Sequence, residues 1–156
     1  MHESPARPAT LPSTIMSVTP LVPTPAMVTT LTPLAQAGVV ALGGACGSML
    51  RWFAGLCLNG LPLPIAAGTL AVNLVGGALI GFSIVAFERM PSEAWRLLLV
   101  TGGLGGLTTF SAFSGESLSL LIKGQWAVAA MHTLVHVAGA LAAAALGWQI
   151  GRWVLP

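Results

Sequence analysis

The chain has 156 residues, of which 55% are hydrophobic and 6% charged, with a formal net charge of +2. Ordinary soluble domains carry about 25% charged residues, so this chain lacks the polar surface for life in water. The small charge and the absence of a basic cluster leave no nucleic acid among its partners.

Residues 1–33 differ from the rest. Pro5, Pro8, Pro12, Pro20, Pro23, Pro25 and Pro33 alternate with Ser and Thr, and the only charges are Glu3 and Arg7. Proline removes helix donors, and the segment has too little apolar content to offset the entropy of ordering, so a disordered tail is expected. It also lacks the continuous apolar core of a secretory signal. The remainder, 34–156, falls into four apolar blocks at 34–58, 63–87, 95–122 and 126–151. Each can supply the roughly 20 residues that cross a hydrocarbon core. The expected fold is an all-α membrane protein with four transmembrane helices in a lipid bilayer.

The first block carries Gly43, Gly47 and Ala54 at helical spacing, a pattern that lets backbones approach closely in lipid. Cys46 and Cys57 are eleven positions apart in it. That is about 16 Å along a helix, too far for a disulfide, so both read as buried small apolar residues. Arg51, beside Trp52, reads either as a snorkelling interfacial residue or as a fixed charge drawing anions into a vestibule. The stretch 59–64 is a turn.

In the second block Asn73 lies near mid-membrane, where a bare amide must find a partner. It reads as a helix-to-helix hydrogen bond or as a donor lining a polar path. Thr69, four residues earlier on the same face, favours the path. The loop 88–95 is the most charged stretch and is aqueous.

The third block holds Gly102, Gly103, Gly105 and Gly106, then Thr108 and Thr109, then Phe110 and Phe113 set among Ser111 and Ser114. Gly costs about 1 kcal/mol against Ala in a helix interior. So many together predict a broken third helix whose freed backbone groups are satisfied by protein or a water-filled cavity. Glu116 is the one carboxylate inside an apolar block. It reads as a functional group or as a helix-end residue facing water.

In the fourth block His132 and His136 share a face. Two histidines can ligate a metal, but no convincing further ligands stand out in the chain, and polar pore lining or interhelical hydrogen bonding is the preferred reading. Arg89, Arg96 and Arg152 fall on the side of the N-terminus, and Lys123 and Arg51 on the other. So slight a bias lets a chain insert both ways round.

No hydrolytic triad, redox centre or phosphate loop is present, so an enzyme is not expected. Hydroxyls and amides at membrane depth suit the passage of a small ion. Phe110 and Phe113 are three apart and so near one another on a helix. Their positive ring edges attract an anion without a full charge that would hold it too tightly.

Three motifs carry a resemblance to a known family: Gly43-Gly-x-x-Gly-x-x-x-Arg51-Trp52, Gly68-Thr-x-x-Val-Asn73 and Gly105-Gly-Leu-Thr-Thr-Phe-Ser-Ala-Phe-Ser-x-Glu116. Over about 36–152 the chain resembles the Fluc (CrcB) fluoride channels of bacteria. The resemblance implies an antiparallel, dual-topology homodimer with two fluoride pores in the cytoplasmic (inner) membrane, passively exporting fluoride to lower its toxicity. It implies that Phe110 and Phe113 are pore phenylalanines, Asn73 a pore-lining amide, and Ser111 and Ser114 hydroxyls beside the rings. Glu116 corresponds to the acidic residue near the pore and Arg51 to the vestibule arginine. Gly105 and Thr108 correspond to positions whose carbonyls hold a structural Na⁺ between subunits.

The chain departs from the family at Ala112, which replaces a hydroxyl, and on helix four. There His132 and His136 stand where Tyr or Asn and then Ser are usual. Imidazoles lining the pore are expected to make conduction pH-sensitive. The alternatives are a small multidrug-type proton-coupled antiporter, whose deep carboxylate in helix one is absent here, and a non-conducting membrane scaffold.

Overall fold

The structure is a computed structural model and describes residues 31–156. The stretch 1–30, most of the expected tail, lies outside the described residues. Helix α1 spans Pro33–Leu58. Thr32 caps it by accepting a hydrogen bond from the Ala35 N–H at 3.3 Å, and proline occupies the first helical position, where a missing donor is harmless. Helix α2 spans Ala67–Arg89. A third crossing, Glu93–Ile122, is composite. It runs through α3 (Glu93–Trp95), a π-helical segment (Arg96–Leu104), α4 (Gly105–Leu107) and α5 (Phe110–Ile122). A tight turn at Gly124, with φ of 71°, leads into α6 (Trp126–Val154). The shortest crossing has 23 residues, about 35 Å of helix, enough for a hydrocarbon core of about 30 Å. Four long apolar helices suited to crossing a membrane are therefore present, as expected.

Two pairings organise the bundle. Helix α6 lies along α2, and the third crossing lies along α1. In lipid no hydrophobic force drives one helix against another, so association relies on close backbone approach. Glycines provide it. A Cβ on Gly81 would strike the Ala144 carbonyl, and one on Gly147 the Ala78 carbonyl. Gly43 and Gly47 of α1 are buried against Gly102, Gly103 and Leu107. Gly43 and Gly47 of the packing stripe read from the first block are thus the seam to the third crossing, whereas Ala54 lies against Gly68 of α2.

That seam changes the reading of the glycine cluster. Gly102 and Gly106 are positions where α1 comes too near for any side chain. The backbone leaves helical geometry just beyond them, at Thr108 (φ −80°, ψ 154°) and Thr109 (φ −150°, ψ 114°). Before that point the chain is already π-helical, a form seen mostly as short insertions at functional sites. Glycine serves close packing here, and the two threonines carry the change of direction.

The expectation for the cysteines is corrected. Cys46 and Cys57 are exposed on the outer face of α1, because its buried face is taken by Gly43 and Gly47. Leu50, Phe53 and Leu56 share that outward exposure. An apolar surface this extensive is stable in lipid and not in water.

The two ends of the bundle are distinct. At one, Arg89 donates to the carbonyls of Leu155 and Pro156, and Gln36 reaches Glu93 at 3.5 Å. At the other, Asn59 Oδ1 accepts the Gly68 N–H at 2.8 Å, fixing the α1–α2 connection.

Candidate functional site

The site is built around the two threonines that separate α4 from α5. An α-helix continuing through them would direct the Thr109 N–H to the Gly105 carbonyl. Instead the Thr109 N–H donates to Asn73 Oδ1 at 2.9 Å, and Asn73 Nδ2 donates to the Thr109 carbonyl at 3.2 Å. Asn73, from α2, thus closes both backbone groups of one residue. The Thr109 hydroxyl caps α5 by accepting from the Ala112 N–H at 3.2 Å, which takes that donor away from the Thr108 carbonyl. The Thr108 hydroxyl turns back to the Leu104 carbonyl at 2.8 Å. From α1, Arg51 Nε donates to the Gly106 carbonyl at 3.0 Å. Side chains from two other helices therefore satisfy backbone groups that lipid could not.

For Asn73 this is the helix-to-helix hydrogen bond among its two readings, made to backbone. Arg51 is half-buried and tied to the turn, an arrangement neither of its readings foresaw. The carbonyls of Gly105 and Thr108 remain free of their helical donors.

Helix α5 presents two faces. Inward lie Phe113, 8% exposed, and Glu116. Outward lie Phe110, 77% exposed, with Ser111 and Ser114. The two rings are neighbours, with centroids 5.3 Å apart, but only Phe113 belongs to the interior of this chain. Ser111 sits 3.1 Å from the Thr109 hydroxyl, and Ser114 donates to the Phe110 carbonyl at 2.9 Å.

Against the inward face stands α6. His132 is fully buried and stacks on Phe113 with centroids 5.3 Å apart, while His136 packs on the same ring at 5.0 Å. His132 Nε2 is 3.1 Å from Glu116 Oε2, and its Nδ1 is 3.0 Å from Ser117 Oγ. The Thr69 hydroxyl donates to Glu116 Oε1 at 2.5 Å. Glu116 is thus no helix-end residue facing water. It is held by a hydroxyl from α2 and an imidazole from α6.

Two cavities flank this cluster. One, of about 530 Å³, is lined by Asn73, Thr108, Thr109, Phe110, Phe113 and His136 among apolar residues. The other, of about 490 Å³, is lined by Glu116, Ser119 and His132 with Asn59, Leu63 and Pro64 of the α1–α2 connection. Of the twelve residues expected from the sequence at the pore, the vestibule or the cation site, eleven lie in or directly beside this arrangement. The twelfth, Arg51, reaches it from α1.

Ser117 and the Thr109 backbone were missed. Ser117 had a signal: α5 and α6 form a hairpin about Gly124, so residues equally far from that glycine face each other. Glu116 stands eight before it and His132 eight after, and Ser117 is adjacent.

The chain is similar to known proteins over most of its length. A family model described as CrcB-like protein, Camphor Resistance (CrcB), matches residues 38–148. A fluoride-specific ion channel FluC of Pseudomonas aeruginosa (strain UCBPP-PA14) is 51% identical over 120 residues, covering 74% of this chain and 93% of that protein. The protein of the same name from Chromobacterium violaceum is 48% identical over 117 residues, with the same two coverages of 74% and 93%. Another from Aromatoleum aromaticum is 50% identical over 111 residues, covering 70% and 85%. With the family match spanning the first glycine seam, the threonine turn and both histidines, the chain belongs to the CrcB-like family.

Proposed function

We propose that the protein is a passive, fluoride-selective channel, not an enzyme. It works as an antiparallel, dual-topology homodimer in the bacterial cytoplasmic membrane and exports fluoride down its gradient. The observation that carries this reading is the cavity of about 530 Å³ that gathers Asn73, Thr109, Phe110, Phe113 and His136, in a chain about half identical to proteins named fluoride-specific ion channels.

The chemistry follows from what lines the path. Fluoride is small and strongly hydrated, so a conducting site must replace water with weak donors that also release the ion. Ring edges of Phe110 and Phe113 offer partial positive charge. The Ser111 hydroxyl offers a rotating donor, and those of Thr69 and Ser114 serve the ion by turning away from the Glu116 carboxylate and the Phe110 carbonyl that they hold at rest. His132 and His136 extend the polar track on α6, and Arg51 supplies a nearby positive charge. Phe110, Ser111 and Ser114 lie on the outward face of α5, where a second subunit would complete the passage.

The turn suits a structural Na⁺ at the subunit interface. The carbonyls of Gly105 and Thr108 lack their helical donors, because the Thr109 and Ala112 N–H groups are engaged elsewhere. Hard cations take such oxygens. When bound, the ion would join two copies by neutralising their facing carbonyl dipoles.

Purified protein in liposomes loaded with fluoride or chloride tests the reading. Fluoride efflux without chloride efflux is expected. Proton-coupled drug uptake, or no ion flux at all, would overturn it.

A further inference from the structure

The cluster between the two cavities has the composition of a transition-metal site. Glu116, His132 and His136 each offer one ligand atom, and these atoms all lie within 4.8 Å of one another. A tetrahedral zinc with ligands about 2.0–2.1 Å away places its ligand atoms about 3.3 Å apart. Small side-chain rotations would close the difference. His132 Nε2 and Glu116 Oε2 are already at 3.1 Å.

One atom in the cluster points to a missing ligand. His136 Nδ1 is 3.0 Å from the His132 carbonyl, an acceptor only, so Nδ1 carries the proton. The other ring nitrogen, Nε2, is then a bare lone pair. It is buried and has no hydrogen-bond partner, in a residue only 4% exposed. An unsatisfied buried acceptor is costly, and a cation would complete it.

The surroundings match what ligating groups require. Metal-bound histidines and carboxylates are held from behind by hydrogen bonds. His136 is held by the His132 carbonyl, His132 by the Ser117 hydroxyl, and Glu116 by the Thr69 hydroxyl. Ser117 can donate or accept, so His132 can shift its proton from Nε2 to Nδ1 and free Nε2 for a metal without net charge change. The cavity lined by Asn59, Leu63 and Pro64 provides an entry path from the α1–α2 end.

We infer that Glu116, His132 and His136 form a binding site for a divalent transition-metal ion of the zinc class, and that its occupation blocks the passage between the two cavities. Two imidazoles and one carboxylate favour zinc over magnesium or calcium, which prefer all-oxygen shells. His132 lines one cavity and His136 the other, so an ion joining them would bridge the gap an anion must cross. The blocking half rests on the channel reading; the binding half does not.

The test uses the full-length protein in a Cys46→Ser, Cys57→Ser background, which removes the exposed thiols as competing ligands. Calorimetric titration with Zn²⁺ and visible absorption with Co²⁺ report binding. One ion per chain is expected, with tetrahedral-type Co²⁺ absorption and at least a tenfold weaker affinity in each of His132→Ala, His136→Ala and Glu116→Gln. No Zn²⁺ binding by the histidine-intact protein, or binding unchanged in correctly folded variants, would overturn the site. Fluoride efflux is then compared in EDTA and in saturating Zn²⁺. Loss of efflux in Zn²⁺ with recovery in EDTA supports the block, and undiminished efflux at full occupancy overturns it. Absence of efflux in EDTA would instead count against the channel while leaving the binding result intact.

Discussion

At the residue scale, the side chains that matter most near the turn serve two ends at once. Asn73 holds both backbone groups of Thr109 and also lines the larger cavity. An unsatisfied buried backbone group costs about 1–3 kcal/mol, so losing this residue threatens fold and passage together. Phe110 is different. At 77% exposure it does little for the stability of a single chain, while its ring edge is available to an ion. The two residues should therefore separate under substitution. Asn73→Asp keeps an acceptor for the Thr109 N–H but sets a carboxylate against the Thr109 carbonyl and in the path proposed for the anion. It is expected to lower the thermal midpoint by several degrees and to cut fluoride flux at least tenfold. Phe110→Ile is expected to lower the midpoint less than Asn73→Asp does and still cut flux at least tenfold. Parallel melting and liposome assays read both, and undiminished flux in Phe110→Ile would remove that ring from the pore. The depth and polarity of Asn73 were legible in the sequence. Its partner was not, because a backbone amide at a turn has no letter of its own.

At the element scale, α2 with α6 and α1 with the third crossing are held by glycine seams. Gly147 and Gly151 of α6 have the same four-residue spacing as Gly43 and Gly47 of α1, but the spacing does not say which helix lies opposite, and only the structure pairs α6 with α2. The glycine cluster of the third crossing invited the opposite error. Its composition signals a helix in difficulty, yet Gly102 and Gly106 answer to the close approach of α1. The departure from helical geometry belongs to Thr108 and Thr109. Side-chain volume at the seams should therefore decide stability. Gly147→Leu would drive atoms into the Ala78 carbonyl, and overpacking of this kind typically costs about 1–3 kcal/mol, occasionally more. It is expected to give little folded protein by size-exclusion profile in detergent. Gly38→Ala, on α1 with no atom within 4 Å of the added Cβ, is expected to be neutral or to stabilise by about 0.5–1 kcal/mol. Equal behaviour of the two variants would show that the seams are not what holds the bundle.

At the scale of the whole molecule, the distribution of cations bears on the proposed antiparallel pairing of two copies. Arg89, Arg96 and Arg152 belong to the end where α2 and α6 finish; Lys123 belongs to the opposite end, and Arg51 to the half of α1 nearer it. Topology follows Lys and Arg near the ends of crossings, and among the described residues a bias of three against two leaves both orientations accessible. An antiparallel dimer needs both. Charges added at one end should then disable the channel without touching its pore. Gly60→Lys with Gln125→Lys would load one end; Met90→Lys with Ser92→Lys would load the other. All four positions lie at the ends of crossings. Each pair expressed alone is expected to insert in one direction and to lose most fluoride flux in membranes. Expressed together, the two variants supply opposite orientations and should recover it. The decisive comparison is between single and joint expression: full flux from either variant alone would mean that opposite insertion is not required, and that the outward face of α5, with Phe110, Ser111 and Ser114, meets something other than an inverted copy of itself.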